Sequence, residues 1–229
     1  MTTATQLEWA LRGSVPNGRL KAQAVPLVPD IQLLLLSADY PRGPLPREAV
    51  AVIMAQPSYW AFCWASGQAL ARHLLDNPAL VRGKRVLDFG SGSGVVGIAA
   101  ACAGAASVTA CDIDARARLA TQLNAALNAV AIDVVGALDM DRADYDVVLI
   151  ADVLYDITNL PLLRQFTHAV PEIVIADSRV KSIPLPGIEV VAHYETATLP
   201  DLDESPEYRH VCIYRWRSAN TTAKLPAPS

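Results

Sequence analysis

The chain has 229 residues, 52% of them hydrophobic and 18% charged, with a formal net charge of -4 and a pI of about 5.5. That composition describes one globular domain with a short extra segment; it excludes a disordered chain and leaves no basic surplus for coating a phosphate backbone. Mean hydropathy is +0.25, yet the longest uncharged apolar stretch, Val95 to Val108, falls short of the roughly 20 residues of a membrane-spanning helix, so the hydrophobicity is assigned to a deep core.

In chain order, prolines punctuate the first third at Pro16, Pro26, Pro29, Pro41, Pro44, Pro46 and Pro57. They leave room for short elements only, and residues 1–58 read as an N-terminal extension packed on something larger. Met1 to Ala24 lacks the continuous apolar region of a secretory signal. Ile31 to Leu36 is a short apolar run, and Arg47 to Met54 is a helical turn or two. Trp60, Trp64, Gly67, Ala71 and Leu74 then recur at helical spacing until Asn77-Pro78, which predicts one amphipathic helix.

Strand and helix alternate from there. Arg85 to Phe89, Ser107 to Cys111, Ile132 to Gly136, Tyr145 to Ala151 and Ile173 to Ala176 read as strands. Val95 to Ala103, Asp114 to Asn128 with Leu119, Leu123 and Leu127 in register, and Leu160 to Ala169 read as helices. Ile188 to Tyr194 and Arg209 to Trp216 have no helix between them and predict an antiparallel hairpin around a long loop, Leu199 to Glu207. The fold class is therefore α/β: a Rossmann-like, doubly wound, seven-stranded sheet, mostly parallel with a C-terminal antiparallel hairpin and helices on both faces. The main domain spans 59–218, and 219–229 is a frayed tail. Cys63, Cys102, Cys111 and Cys212 have no C-x-x-C spacing and lie in apolar runs, which suits a cytoplasmic protein with free thiols. His73, His168, His193 and His210 are scattered without ligand spacing, so no metal is expected.

The most informative segment is Val86-Leu87-Asp88-Phe89-Gly90-Ser91-Gly92-Ser93-Gly94. It follows a strand and opens a helix, the place where open α/β sheets bind ligands. Gly92-Ser93-Gly94-Val95-Val96-Gly97 satisfies the dinucleotide pattern G-x-G-x-x-G, with Asp112 about 20 residues on. Asp88 argues against a dinucleotide, because its carboxylate at the strand tip would face the pyrophosphate. It suits a ligand with an amino-acid ammonium and no phosphate. Asp112 accepts from ribose hydroxyls in either case, or caps the next helix together with Asp114. Asp152-Val153-Leu154-Tyr155-Asp156 follows the fourth strand of the sheet, beside the switch point; Asp152 and Tyr155 are placed near a reacting group there, and Asp152 or Asp156 also suits a helix cap.

Asp88-x-Gly90-x-Gly92-x-Gly94 followed by Asp112 resembles the class I, seven-β-strand S-adenosylmethionine-dependent methyltransferases. Pro29-Asp30-Ile31-Gln32-Leu33, Tyr59-Trp60-Ala61-Phe62, Gly67-Gln68-Ala69-Leu70, Leu74-Leu75-Asp76-Asn77-Pro78, Leu123-Asn124 with Asn128, and Asp152 to Asp156 resemble one branch. That branch comprises the lysine methyltransferases of the electron-transfer flavoprotein β subunit and their bacterial relatives. The resemblance implies S-adenosylmethionine as cofactor, with contacts at Trp64, Asp88, Gly90, Ser91, Gly92, Gly94, Asp112, Ile113, Asp139 and Ala151. It also implies Asp152 and Tyr155 as the catalytic pair, a protein lysine as acceptor, and a monomer acting on neither nucleic acid nor membrane. Alternatives are another protein such as a ribosomal one, a small amine, a nicotinamide oxidoreductase, and a cofactor-binding module without catalysis. Trp64 reads equally as a core aromatic. Asp139 and Asp141 compete for the adenine amino group. Asp177-Ser178-Arg179 stands where the family carries a D-P-x-R-like segment, which leaves the substrate-side wall open.

Overall fold

The computed structural model describes residues 3–41, 47–139, 144–154, 157–201 and 203–219. The N-terminal extension is more ordered than its prolines suggest. Helix α1 (Thr3–Ser14) is followed by an antiparallel hairpin of β1 (Leu20–Val25) and β2 (Val28–Leu36), and then by helix α2 (Arg47–Ala55). The prolines interrupt little because they fall where a missing N–H is tolerated. Pro16 follows α1, Pro26 lies in the turn of the hairpin, and Pro29 stands near the start of a strand in a two-stranded sheet.

The extension is fastened in two ways. Leu7, Leu11 and Val15 are buried against Leu36, Trp60, Ala117 and Ala120. On the free edge of β2, Asn128 offers a complete amide: its Oδ1 accepts from the Gln32 N–H at 2.9 Å and its Nδ2 donates to the Gln32 carbonyl at 2.6 Å. Asn124 accepts from the Leu34 N–H at 2.7 Å. Two side chains thus satisfy the edge of β2 where a further strand would otherwise pair.

The helix expected from Trp60 is in two pieces: a 3-10 turn at Tyr59–Ala61, then α3 (Ala65–Asp76), with Trp64 as its N-cap and Asn77 ending it. The main body continues with β3 (Arg85–Phe89), α4 (Val95–Cys102), β4 (Ser107–Cys111), α5 (Ala115–Leu127) and β5 (Asp133–Val135). It ends with β6 (Val147–Ala151), α6 (Leu160–Ala169), β7 (Glu172–Asp177), β8 (Glu189–Glu195) and β9 (His210–Arg217). The seven strands lie in the order β5-β4-β3-β6-β7-β9-β8. The first five are parallel and β9 runs antiparallel to both neighbours. Val86, Val108, Val147 and Leu149 feed the core on one face, Leu87, Cys111, Val148 and Ile150 the core on the other. Burial on both sides explains why these strands read as continuous apolar runs.

The leucine register of α5 accounts for only part of its buried side. Leu119 and Leu123 are half-buried against the core under α1, but Leu127 is exposed, and the fully buried positions are Ala117, Ala120, Thr121, Asn124 and Ala125. Small and polar residues face inward because α5 lies against the glycine loop. Thr121 Oγ1 is 3.1 Å from Ser91 Oγ, and Asn124 Nδ2 donates to the Ser93 carbonyl at 2.8 Å.

Candidate active site

The loop after β3 turns through Gly90 and Gly94 at φ 75 and 82. A Cβ on Gly90 would lie 2.6 Å from Val153 Cγ2, and one on Gly94 would lie 2.9 Å from Thr121 Cγ2. Both the dihedral and the space therefore demand glycine. The Gly90 and Ser91 N–H groups donate to the Cys111 carbonyl, which ties the loop to the end of β4.

Asp112 completes this corner. Its Oδ2 accepts from the Gly92 N–H and its Oδ1 from the Asp114 N–H, each at 2.9 Å, so both oxygens are aimed while keeping acceptor capacity. Asp114 rather than Asp112 caps α5, accepting from the Arg116 N–H. Partial burial pushes the Asp112 carboxyl above its ordinary value. Ile113 beside it is 92% exposed, an apolar surface at the rim suited to a flat base.

Asp88 takes a different place from the one its motif suggests. It is 2% exposed, behind the loop, with Oδ2 accepting from the Gly97 N–H at 2.9 Å. Burial raises its carboxyl to about 7. A first-turn donor of α4, which in dinucleotide enzymes is turned toward a pyrophosphate, is here satisfied by the chain's own carboxyl. Asp88 therefore does not face the cleft as expected, and it disfavours a dinucleotide only by occupying the Gly97 N–H.

A cleft of about 710 Å³ opens in front of this corner, lined by residues that include Trp64, Gly90, Asp112, Ile113, Asp152 and Arg179. Gly92 and Ala151 line it too. Ser91 and Gly94 support it from behind through Thr121. Asp139 is exposed and is not among the described residues of the cleft wall. Tyr155, Asp141 and Asp156 lie outside the described residues.

The far wall is built from side chains. Asp152 has φ 50, a left-handed conformation uncommon outside glycine. The turn is held by its N–H, which donates to the Ala176 carbonyl at 3.1 Å. Its Oδ1 accepts from Ser66 Oγ at 2.6 Å and Ser178 Oγ at 3.4 Å, and its Oδ2 from the Ser66 N–H at 3.3 Å. Burial raises the Asp152 carboxyl to about 6 against the pull of Ser66. Asp152 thus both lines the cleft and caps α3, a helix far earlier in the chain, instead of the helix that follows it.

Asp177 turns away from the cleft and folds its own turn, accepting from the Arg179 and Val180 N–H groups. Arg179 does reach the wall. Its guanidinium lies 4.5 Å from the Tyr208 ring centroid and 5.9 Å from that of Trp64, and it pairs with Glu204 at 2.8 Å. Trp64 donates through Nε1 to the Tyr59 carbonyl at 3.0 Å and meets the Tyr59 ring edge-on. Ser66, Ser178, Tyr208 and Glu204 carry no local motif; only their neighbours in space give them a role. Among the described residues no group of three or more His, Cys, Asp or Glu could hold a metal, and no helix is long and apolar enough to cross a membrane.

A parallel sheet ending in an antiparallel hairpin, with a glycine loop and ribose-type acid after adjacent strands, defines the class I methyltransferase fold. The comparisons with known proteins agree. Residues 69–179 match the family model of ribosomal protein L11 methyltransferase. The human electron transfer flavoprotein beta subunit lysine methyltransferase is 39% identical over 163 residues, 66% of this chain and 61% of that protein. The mouse protein of the same name is 38% identical over 160 residues, 65% and 62% of the two chains. Ribosomal protein L11 methyltransferase of Vibrio cholerae is 45% identical over 86 residues, 38% of this chain and 28% of that one. The chain thus spans about three-fifths of the length of the flavoprotein-directed relatives. A solved structure from Thermoplasma acidophilum has the same fold, with a TM-score of 0.51 at 16% identity over 67% of this chain and 88% of its own. The chain has the fold of the seven-β-strand methyltransferases, and its sequence is similar to that of the flavoprotein-directed lysine methyltransferases.

Proposed function

We propose that the protein transfers a methyl group from S-adenosylmethionine to a lysine of a protein, with the β subunit of electron transfer flavoprotein as the first substrate to test. The observation that carries this reading is the cleft running from the Gly90–Asp112 corner to Asp152. The cofactor fits its chemistry: Asp112 offers two aimed oxygens to a diol, Ile113 an apolar face to a base, and the Gly97 N–H in the first turn of α4 is taken by Asp88. When bound, S-adenosylmethionine supplies a methyl group on a sulfonium, transferred in line to a neutral nitrogen with release of a neutral thioether.

The chain's own work is placement. Free lysine has a pKa of about 10.4, so the acceptor must lose a proton to solvent before reacting. Asp152 favours the ammonium form, and its role is to hold and orient the arriving nitrogen while the aromatic wall of Trp64 and Tyr59 excludes water. A macromolecular acceptor is supported by α2, which leads to the cleft mouth at Ala55 to Pro57 and leaves Val50, Val52 and Met54 exposed at 44%, 44% and 76%. The free thiols of Cys63, Cys102, Cys111 and Cys212 agree with a reducing compartment, the cytoplasm in our reading.

The family match favours one second reading, methylation of ribosomal protein L11. The two separate when the purified protein is given radiolabelled cofactor with either substrate and with a cell extract, followed by mass spectrometry. Label on a lysine of the flavoprotein subunit supports the proposal, label on L11 replaces it, and label only in small metabolites overturns a protein substrate. Calorimetry with S-adenosylhomocysteine and NAD tests the cofactor; NAD binding alone would sink the whole reading.

A further inference from the structure

Asp152 is the acidic group at the far wall of the cleft, yet no residue of its own segment positions its carboxylate among the described residues. The contacts come from α3, 86 positions earlier, and from the end of β7: Ser66 gives Oδ1 a hydroxyl at 2.6 Å and Oδ2 a backbone N–H at 3.3 Å, and Ser178 adds a hydroxyl to Oδ1 at 3.4 Å. Ser66 is fully buried, so its hydroxyl has no exchange with bulk water to lose when Asp152 is engaged. Oδ1 is thereby filled by the protein, while Oδ2 has a single long donor and keeps acceptor capacity for an incoming N–H. The left-handed turn at Asp152 brings the carboxylate to Ser66.

We infer that Ser66 is a positioning residue for methyl transfer: its hydroxyl aims the Asp152 carboxylate by filling Oδ1, so that Oδ2 is presented to the acceptor nitrogen. The inference rests on the proposed function for its acceptor, but not for the Ser66–Asp152 coupling itself. The other groups facing Asp152 are Asp177 on β7, which disfavours its charge, and Arg179 just beyond, which favours it. The buried Cys63 thiol ahead of α3 is itself pushed up and stays neutral. Against that background the Ser66 donor is the main force opposing burial.

The test compares Ser66→Ala and Ser66→Thr with the parent protein. Carboxyl-labelled aspartate followed by NMR across pH 4–9 reads the Asp152 titration directly, with Asp152→Asn assigning its resonance. Loss of the hydroxyl is expected to move that titration upward by about one pH unit, and threonine to restore it. Initial rates of methyl transfer should lose kcat more than KM in Ser66→Ala, with a deficit that shrinks as the pH rises. An unmoved Asp152 titration, or a rate deficit that is flat with pH and tracks lost folded protein, would overturn the inference. A parent protein that methylates no protein at all would remove the proposed function and leave the NMR coupling to stand or fall separately.

Discussion

The two ends of the cleft are built by different means. At the Gly90–Asp112 corner the backbone does the work: glycines at positive φ, N–H groups on the Cys111 carbonyl, and one carboxylate pinned by two N–H groups within a stretch of 25 residues. At the Asp152 end side chains do it, drawn from α3, β6, the turn after β7 and the loop before β9. A backbone-built corner binds a constant partner and tolerates little change in its glycines. A side-chain-built wall can be retuned residue by residue, which suits the acceptor end in the function proposed above.

The largest effect expected from breaking this division is on the acceptor side. Asp152→Asn should cut methyl transfer by roughly 10²-fold, the cost of misplacing a reactant by about 1 Å. S-adenosylhomocysteine affinity by calorimetry should stay within a few-fold. A parallel loss of affinity would show that the two ends are not separable.

Asp88 sharpens the comparison from below the loop. Its folded value of about 7 lies above the ordinary 3.8, so the native state holds a proton the unfolded chain has released. Its contribution to stability is fully present below pH 4 and is lost as the pH rises through 7. Asp88→Asn should remove that decline and be the more stable protein at pH 8, by roughly 2–4 kcal/mol at most. Thermal melts of both proteins between pH 5 and 8 check it; parallel curves would contradict the buried carboxyl.

Gly90→Ala meets a side chain at 2.6 Å in a left-handed turn. It should cost about 1–3 kcal/mol of stability and weaken the homocysteine analogue at least tenfold, read by denaturation and calorimetry. The smallest effect is expected at Asn128→Ala, which uncouples the edge of β2. About 1–2 kcal/mol of stability should go with cofactor affinity unchanged, and faster hydrogen exchange at Gln32 would localise the loss.

Much of this was legible beforehand, and the contrast between the two corners explains which part. The strands at Arg85–Phe89 and Ser107–Cys111 stand where the apolar runs put them, because local pattern and tertiary burial agree. In the extension the prolines suggest breaks in the sequence, but Pro16 and Pro26 lie between elements and Pro29 near a strand start. The leucines of α5 account for only part of its buried side for a related reason. The α-helical period marks a stripe, but only the neighbouring loop decides whether that side needs bulk or needs Ala120, Thr121 and Asn124 to let backbones close in.

The sequence by itself determined the sheet, the glycine turn and the acids that flank it, since each depends on residues near one another in the chain. Tertiary structure alone decided that Asp88 lies behind the loop instead of facing the cleft, that Asp177 folds its own turn, and that Ser66 and Tyr208 stand beside Asp152 and Arg179. Those roles depend on which donors and rings lie within a few ångströms, and contacts spanning scores of residues leave no spacing for a motif to record.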